Sequence, residues 1–400
     1  MPERLFTPRF CIMFCYTFTV FASVFQLLPT APYRVLALGG STAVAGLFHG
    51  FLTFSSASSG PLTGVLSDRI GHRPVLIWVS LILAVFSVSY AFIADYRVML
   101  AVVVVHGTIW SALLAASGAY MTAAIPASRR AEGLSYWGLA TMLATGTAPV
   151  LGFVVYRRGW NTLCFEMAGL NLLMAVIAWA LPDDRAEAHQ DGPETATWPA
   201  SIGEFVRAHV EWRVFWLSIA TMLISFGYGA LTSFSALYAD ELGVSPRSLF
   251  LTVVAIAVIA SRLTLGRALD AIGPRRVLVR TLMVPAIGLG MLALANGRLS
   301  FALAALVFGA GFALMQPSFT SYVLAHVPSR RRGAAFGAMV AAFDTGIGSG
   351  ASLFGVAAHT FGFRWAIGGA ALVAAFAMPY FLLAERRLHF RESTDSQRAA

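Results

Sequence analysis

No charged side chain interrupts Val75 to Ala94, Val98 to Ala124 or Ser300 to Ala325. Each run is long enough to cross a bilayer core, which takes about 20 helical residues. Runs of that length favour helices over the shorter strands of a barrel. The 400 residues are 58% hydrophobic and only 12% charged, more apolar surface than soluble cores can hide. The chain is therefore expected to be an all-α membrane protein.

Reading apolar runs between polar breaks predicts twelve transmembrane helices, at approximately 10-31, 42-64, 75-94, 98-124, 134-156, 161-181, 213-238, 247-268, 277-295, 300-325, 334-358 and 364-384. The longest polar interval, Pro182 to Trp212, divides them six and six. The expected organisation is an N-terminal bundle at 1-181, a linker at 182-212, a C-terminal bundle at 213-386 and a tail at 387-400. Within the linker, Ile202, Phe205, Val206 and Val210 recur at helical spacing beside Glu204, Arg207 and Glu211. They fit either a short helix lying on the membrane surface or an amphipathic approach to helix seven.

A formal charge of +9 raises nucleic acid as a partner, but the placement of the charge argues against it. There is no lysine. With the N-terminus in the cytoplasm, Arg4/Arg9, Arg69/Arg73, Arg129/Arg130, Arg275/Arg276/Arg280, Arg330/Arg331/Arg332 and Arg386/Arg387 all fall on the cytoplasmic side. That asymmetry is the positive-inside bias of an inner-membrane protein with both termini cytoplasmic. Cys11, Cys15 and Cys164 lie in apolar runs and form neither a disulfide framework nor a metal-ligand pattern.

The two halves repeat one another. Gly64, Asp68, Gly71 and Arg73 recur with the same spacing as Gly266, Asp270, Gly273 and Arg275. A second pair of breaks follows: Pro126 with Arg129, Arg130 and Gly133, then Pro328 with Arg331, Arg332 and Gly333. Two separate matches at nearly one offset imply parallel six-helix pseudo-repeats, the plan of a rocking transporter.

On these residues the chain resembles the major facilitator superfamily of secondary transporters. The superfamily's G-x-L-x-D-R-x-G-R-R loop is matched by Gly64, Leu66, Asp68, Arg69, Gly71 and Arg73, with His72 in place of one basic residue. In the second copy Ala271 stands where Arg69 stands in the first. The helices at Ser41 to Gly64 and Gly333 to Thr360, with Phe308 to Phe319, are similar to bacterial arabinose or sugar and drug efflux permeases. Ala144, Ala148, Pro149 and Gly152 fall on the superfamily's G-x-x-x-G-P-x-x-G antiporter pattern, with alanines for two glycines. The resemblance implies the major facilitator fold, alternating access and a gate built on the duplicated loop. It places Asp68 near the start of helix eleven and Asp270 near the start of helix five, where each carboxylate meets a helix N-terminus.

Ionisable groups at membrane depth are expensive and mark candidate sites. Asp344 lies eleven residues beyond Gly333, about 16 Å along a helix. It can carry a proton, bind substrate or make a structural hydrogen bond. Arg262 is a candidate counter-charge, or a side chain reaching back toward the cytoplasm. His106 and His49 are further proton-coupling candidates, with neutral buried histidine as the plainer alternative. Val103 occupies the place where many proton-coupled superfamily members carry an arginine. The resemblance lines the cavity with helices one, four, seven and ten. Its candidates here are Tyr16 and Gln26, His106 and Trp110, Ser225 and Tyr228, and Phe312 and Gln316.

An apolar wall with few donors suits a small organic molecule. The expected function is proton-coupled efflux of such a molecule. Proton-coupled uptake and a nontransporting membrane sensor are the alternatives. No nucleophile motif, metal-ligand spacing or nucleotide loop calls for an enzyme, a metal or a cofactor.

Overall fold

The computed structural model describes residues 5–126, 129–183, 211–328 and 331–388. Among the described residues it contains fourteen α-helices and no strand. The first six are α1 (Pro8–Ala37), α2 (Thr42–Ile70), α3 (His72–Phe92), α4 (Tyr96–Ala124), α5 (Arg130–Tyr156) and α6 (Trp160–Trp179). After the linker come α7 (Trp212–Glu241), α8 (Leu249–Ile272), α9 (Pro274–Thr281), α10 (Val284–Ala293) and α11 (Arg298–Ala325). The chain closes with α12 (Arg332–Phe361), α13 (Phe363–Ala375) and α14 (Ala377–Arg387).

Ten segments among the described residues are long and apolar enough to cross a membrane, and Leu249–Arg262 of α8 is a shorter apolar stretch. α2 adds a 29-residue helix, about 43 Å long, with more serine and threonine than any other. Four of those hydroxyls are satisfied within the helix. Ser55, Ser58, Ser59 and Thr63 donate to the carbonyls of Phe51, Phe54, Ser55 and Ser59. Such bonds let these hydroxyls sit at membrane depth, while Ser67 Oγ near the end of α2 is buried with no partner among the described residues.

Two expected spans are broken rather than continuous. The ninth is split into α9 and α10 around Leu282 and Met283, because Pro285 supplies no N–H to Thr281 and its ring crowds that carbonyl. The twelfth is split at Phe376, three residues before Pro379. α2 also runs through Asp68 to Ile70, past the expected end at residue 64, and α3 begins at His72, so of the first motif copy only Gly71 lies outside a helix.

The chain divides into two compact units, Met1–Ser41 with Phe51–Ala196, and Thr42–Gly50 with Thr197–Ala400. In the first, α1 packs on α5 and α6, and α3 packs on α4 and α6. Met13, Tyr16, Val20, Leu76, Leu83, Leu113 and Tyr120 form its buried centre. Polar staples cross the apolar contacts: Trp137 Nε1 donates to Thr17 Oγ1 at 2.7 Å, and Asn171 Nδ2 donates to Ser87 Oγ at 2.9 Å.

In the second unit the most extensive contact is between α7 and α12, and it is made by glycines. A Cβ at Gly346 would stand 2.4 Å from Met222 O, one at Gly350 2.0 Å from Phe226 O, and one at Gly229 2.1 Å from Ile347 O. Thr42–Gly50 packs on the next face of α12 in the same way. A Cβ at Gly46 would meet Ala351 O at 2.3 Å, and Gly50 lies against Gly348 and Ser352. Small residues let backbones approach closely where lipid supplies no hydrophobic drive between helices.

The linker residues 184–210, including the stretch from Ile202 to Val210, lie outside the described residues, as do 329–330 and 389–400. The side chains of 265–271, which include Gly266, Asp270 and Ala271, and of 332–334 are likewise outside them.

Candidate functional site

The duplicated motif is visible in the backbone. Gly71 ends α2 at φ +96°, and Gly273 ends α8 at φ +89°. Both positions lie in the left-handed region that an L side chain enters at a cost of roughly 1–2 kcal/mol. Gly71→Ala and Gly273→Ala should each lower stability by about that amount, read as a shift in thermal unfolding of the purified protein.

The arginine that closes each motif is bonded into its own unit. Arg73 Nη2 donates to Trp179 O at the end of α6, at 2.7 Å. Arg275 donates from Nε and Nη2 to Glu385 Oε1 and Oε2 in α14, at 2.6 and 2.7 Å. Tyr322 of α11 donates to the same Glu385 Oε1 at 2.5 Å. In both units, therefore, the motif arginine ties the loop to the unit's last helix. Glu385 is 2% exposed while its partner's side chain is 32% exposed. Breaking a buried ion pair by removing one partner costs several kcal/mol, reduced here because the Arg275 left behind is partly solvated. Glu385→Gln should destabilise by about 1–3 kcal/mol, measured by denaturant unfolding in detergent.

Asp68 is placed differently. Its carboxylate is exposed and carries His72, four residues on, at 3.2 Å. Arg69 is exposed as well. Arg331, from the second cluster, donates to Glu211 just before α7 at 2.8 Å.

The mid-depth candidates of the second unit gather around α7, α11 and α12. Tyr228 stacks on Phe312 with ring centroids 4.6 Å apart, and Phe312 meets Phe343 at 6.1 Å. Ser225 Oγ donates to Phe343 O at 2.9 Å, fixing α7 against α12 at that level. Asp344 follows Phe343, about 18 Å along α12 from Arg332. It falls on the stripe that continues through Gly348, Ala351, Ser352 and Gly355, the face that receives Thr42–Gly50. Among the described residues Asp344 makes no hydrogen bond or ion pair. Arg262 does not pair with it: its Nε donates instead to Ala313 O at 3.3 Å. Gln316 Oε1 is buried without a partner.

The other candidates are dispersed. Tyr16, expected on a cavity wall, is fully buried, with its hydroxyl 3.0 Å from Ser80 Oγ. Gln26, also expected on a wall, is fully buried against Glu166. His106 stacks on Phe86 and shares a 3.0 Å hydrogen bond with Tyr90 Oη. With Ser23, Trp110 and Asn171 it borders a cavity inside the first unit that has room for about one water. His49 lies in the second unit, its Nδ1 2.8 Å from Ser233 Oγ. Sequence reading missed Glu385 and Tyr322. The arginine repeat at Arg73 and Arg275 was the available signal, since it poses the question of what each one binds.

This geometry has relatives. A family model for the Major Facilitator Superfamily matches residues 10–348 and 217–399. The chain is 25% identical over 345 residues to the staphylopine export protein of Staphylococcus aureus, covering 84% of this chain and 85% of that one. It is 22% identical over 334 residues to the quinolone resistance protein NorA of the same species, covering 82% and 84%. Its fold is similar to that of the crystallised nucleoside transporter NupG, with a TM-score of 0.76 at 15% identity over 94% of this chain and 99% of that one. The chain spans nearly the whole of each, and members of the family are transporters and not enzymes. With its apolar spans and its duplicated motif, the chain belongs to the Major Facilitator Superfamily.

Proposed function

We propose that the protein is an inner-membrane exporter that exchanges an organic small molecule for protons by alternating access, with both termini in the cytoplasm. The observation that carries this reading is Asp344, a carboxylate at mid-depth of α12 with no partner among the described residues, next in sequence to Phe343 of the Tyr228, Phe312 and Phe343 aromatic cluster. An ionised carboxylate enclosed without a counter-charge costs several kcal/mol. States that wet it or supply a cation are therefore favoured while it is charged, and binding a proton removes the penalty. A proton then acts as a ligand with different affinities for two conformations, which is what coupling requires. The names of the two staphylococcal relatives, an export protein and a resistance protein, support the outward direction. The aromatic surface, with Gln316 as its polar point, fits a neutral or amphipathic substrate. The duplicated motif serves as the gate, its glycines setting the turns and its arginines holding each loop to its own bundle.

A compound screen in inside-out vesicles with an imposed pH gradient tests the reading. A substrate should accumulate in wild-type vesicles as protons leave them. Accumulation only when substrate and protons move in the same direction would make the protein a symporter, and no proton-linked movement in any compound class would remove the coupling.

A further inference from the structure

Gln26, fully buried, and the half-buried Glu166 form a pair in the first unit that is one hydrogen atom short. Gln26 Nε2 donates to Ala22 O at 3.1 Å and to Glu166 Oε1 at 3.2 Å. Gln26 Oε1 and Glu166 Oε2 are both sealed from solvent and have no partner. Gly152 of α5 presses on Gln26, where a Cβ would stand 3.0 Å from Gln26 Cβ, so the amide is pinned from the third side. Buried polar atoms left unmatched in this way call for an explanation, and the two orphans here are chemically complementary. An amide oxygen can only accept. A carboxyl oxygen can donate once it is protonated.

We propose that Glu166 is a second proton-binding site, separate from Asp344. One proton taken from water onto Glu166 Oε2 supplies the missing donor. The carboxylic O–H donates to Gln26 Oε1 while Gln26 Nε2 keeps donating to Glu166 Oε1, which closes an amide–acid ring of two hydrogen bonds. Loss of that proton reopens the ring and leaves an anion against a lone amide.

Among the described residues no cation forms an ion pair with Glu166, and Arg157 and Arg158, just before α6, are exposed. On α1, Arg34 lies eight residues beyond Gln26, about 12 Å along the helix, where it donates to Ile93 O and sits over Trp160. Tyr33 of α1 faces Phe153 and Tyr156 of α5. On α3, Tyr90 is engaged with His106 of α4, and His72 and Arg73 belong to the far end of the helix. Cys164 lies buried on α6 itself. The pair thus places one titrating carboxyl in the first unit to match Asp344 in the second. A role for that second proton in the transport cycle rests on the proton-coupled reading above. The protonation of Glu166 does not.

The test is pH-difference infrared spectroscopy of the full chain in lipid nanodiscs, in an Asp344→Asn background so that Asp344 contributes nothing. A protonated-carboxyl C=O band should titrate and should be lost in Glu166→Gln, which keeps an amide–amide pair and is expected to fold. Gln26→Leu keeps Glu166 but removes the acceptor, so the band should shift to higher frequency. Spectra unchanged by both variants would overturn the proposal. Loss of the band on adding sodium at constant pH would also overturn it, since the pair would then hold a metal cation. Failure of transport in vesicles with the band intact would sink the export reading and leave the proton site standing.

Discussion

Asp344→Asn is expected to abolish pH-driven accumulation of substrate while leaving substrate-for-substrate exchange near the wild-type rate. Asparagine keeps the size of the side chain and stays neutral, so it imitates the proton-loaded state permanently. A difference of one pH unit is worth about 1.4 kcal/mol per proton, a factor of ten in the substrate ratio the transporter can sustain. The variant should lose at least that roughly tenfold factor for each proton Asp344 carries. Exchange needs conformational cycling but no net proton movement, so its survival separates lost coupling from lost folding. Equal loss of both activities would make Asp344 a substrate-binding or structural residue instead.

The second large effect concerns packing. Gly350→Ala should destabilise the second unit by about 2 kcal/mol or more, because the new methyl meets backbone rather than a movable side chain. Its Cβ would stand 2.0 Å from Phe226 O and 2.6 Å from Phe226 C. α12 must then withdraw from α7, which also strains the bond from Ser225 to Phe343 O. Gly337→Ala is the control in the same helix. Nothing lies within 4 Å of a Cβ there, and alanine is the better helix former by about 1 kcal/mol. Thermal unfolding in detergent should therefore move down for Gly350→Ala and stay level or rise for Gly337→Ala. Equal shifts would mean that the glycine seam does not hold α7 to α12.

The sequence made the architecture readable because membrane crossing is a demand on length and polarity that a linear string displays. The repeat of Gly71 and Arg73 at Gly273 and Arg275 showed the two halves, and both glycines hold the positive φ that explains their residue type. Helix facing was much less readable. Lipid-facing and bundle-facing residues are both apolar, so periodicity does not say which side of α1 points inward. Tyr16 and Gln26, cavity-wall candidates by resemblance, are fully buried in the first unit, which periodicity along α1 did not indicate. Partners remote in sequence, such as Arg275 with Glu385 or Gln26 with Glu166, leave no local pattern at all. Asp344 was legible because an acidic residue at mid-depth is conspicuous by its cost alone. Its lack of a partner needed the structure.

The central claim is that substrate and protons move in opposite directions on one machine. It is tested most directly by reconstituting the purified chain in proteoliposomes with a pH-sensitive dye inside, then imposing a gradient of an identified substrate at zero membrane potential and no initial pH difference. The account predicts that substrate entering the lumen drives protons out, so that the lumen turns alkaline, and that Asp344→Asn abolishes the signal. A lumen that turns acidic as substrate enters, or a signal unchanged in Asp344→Asn, would contradict it.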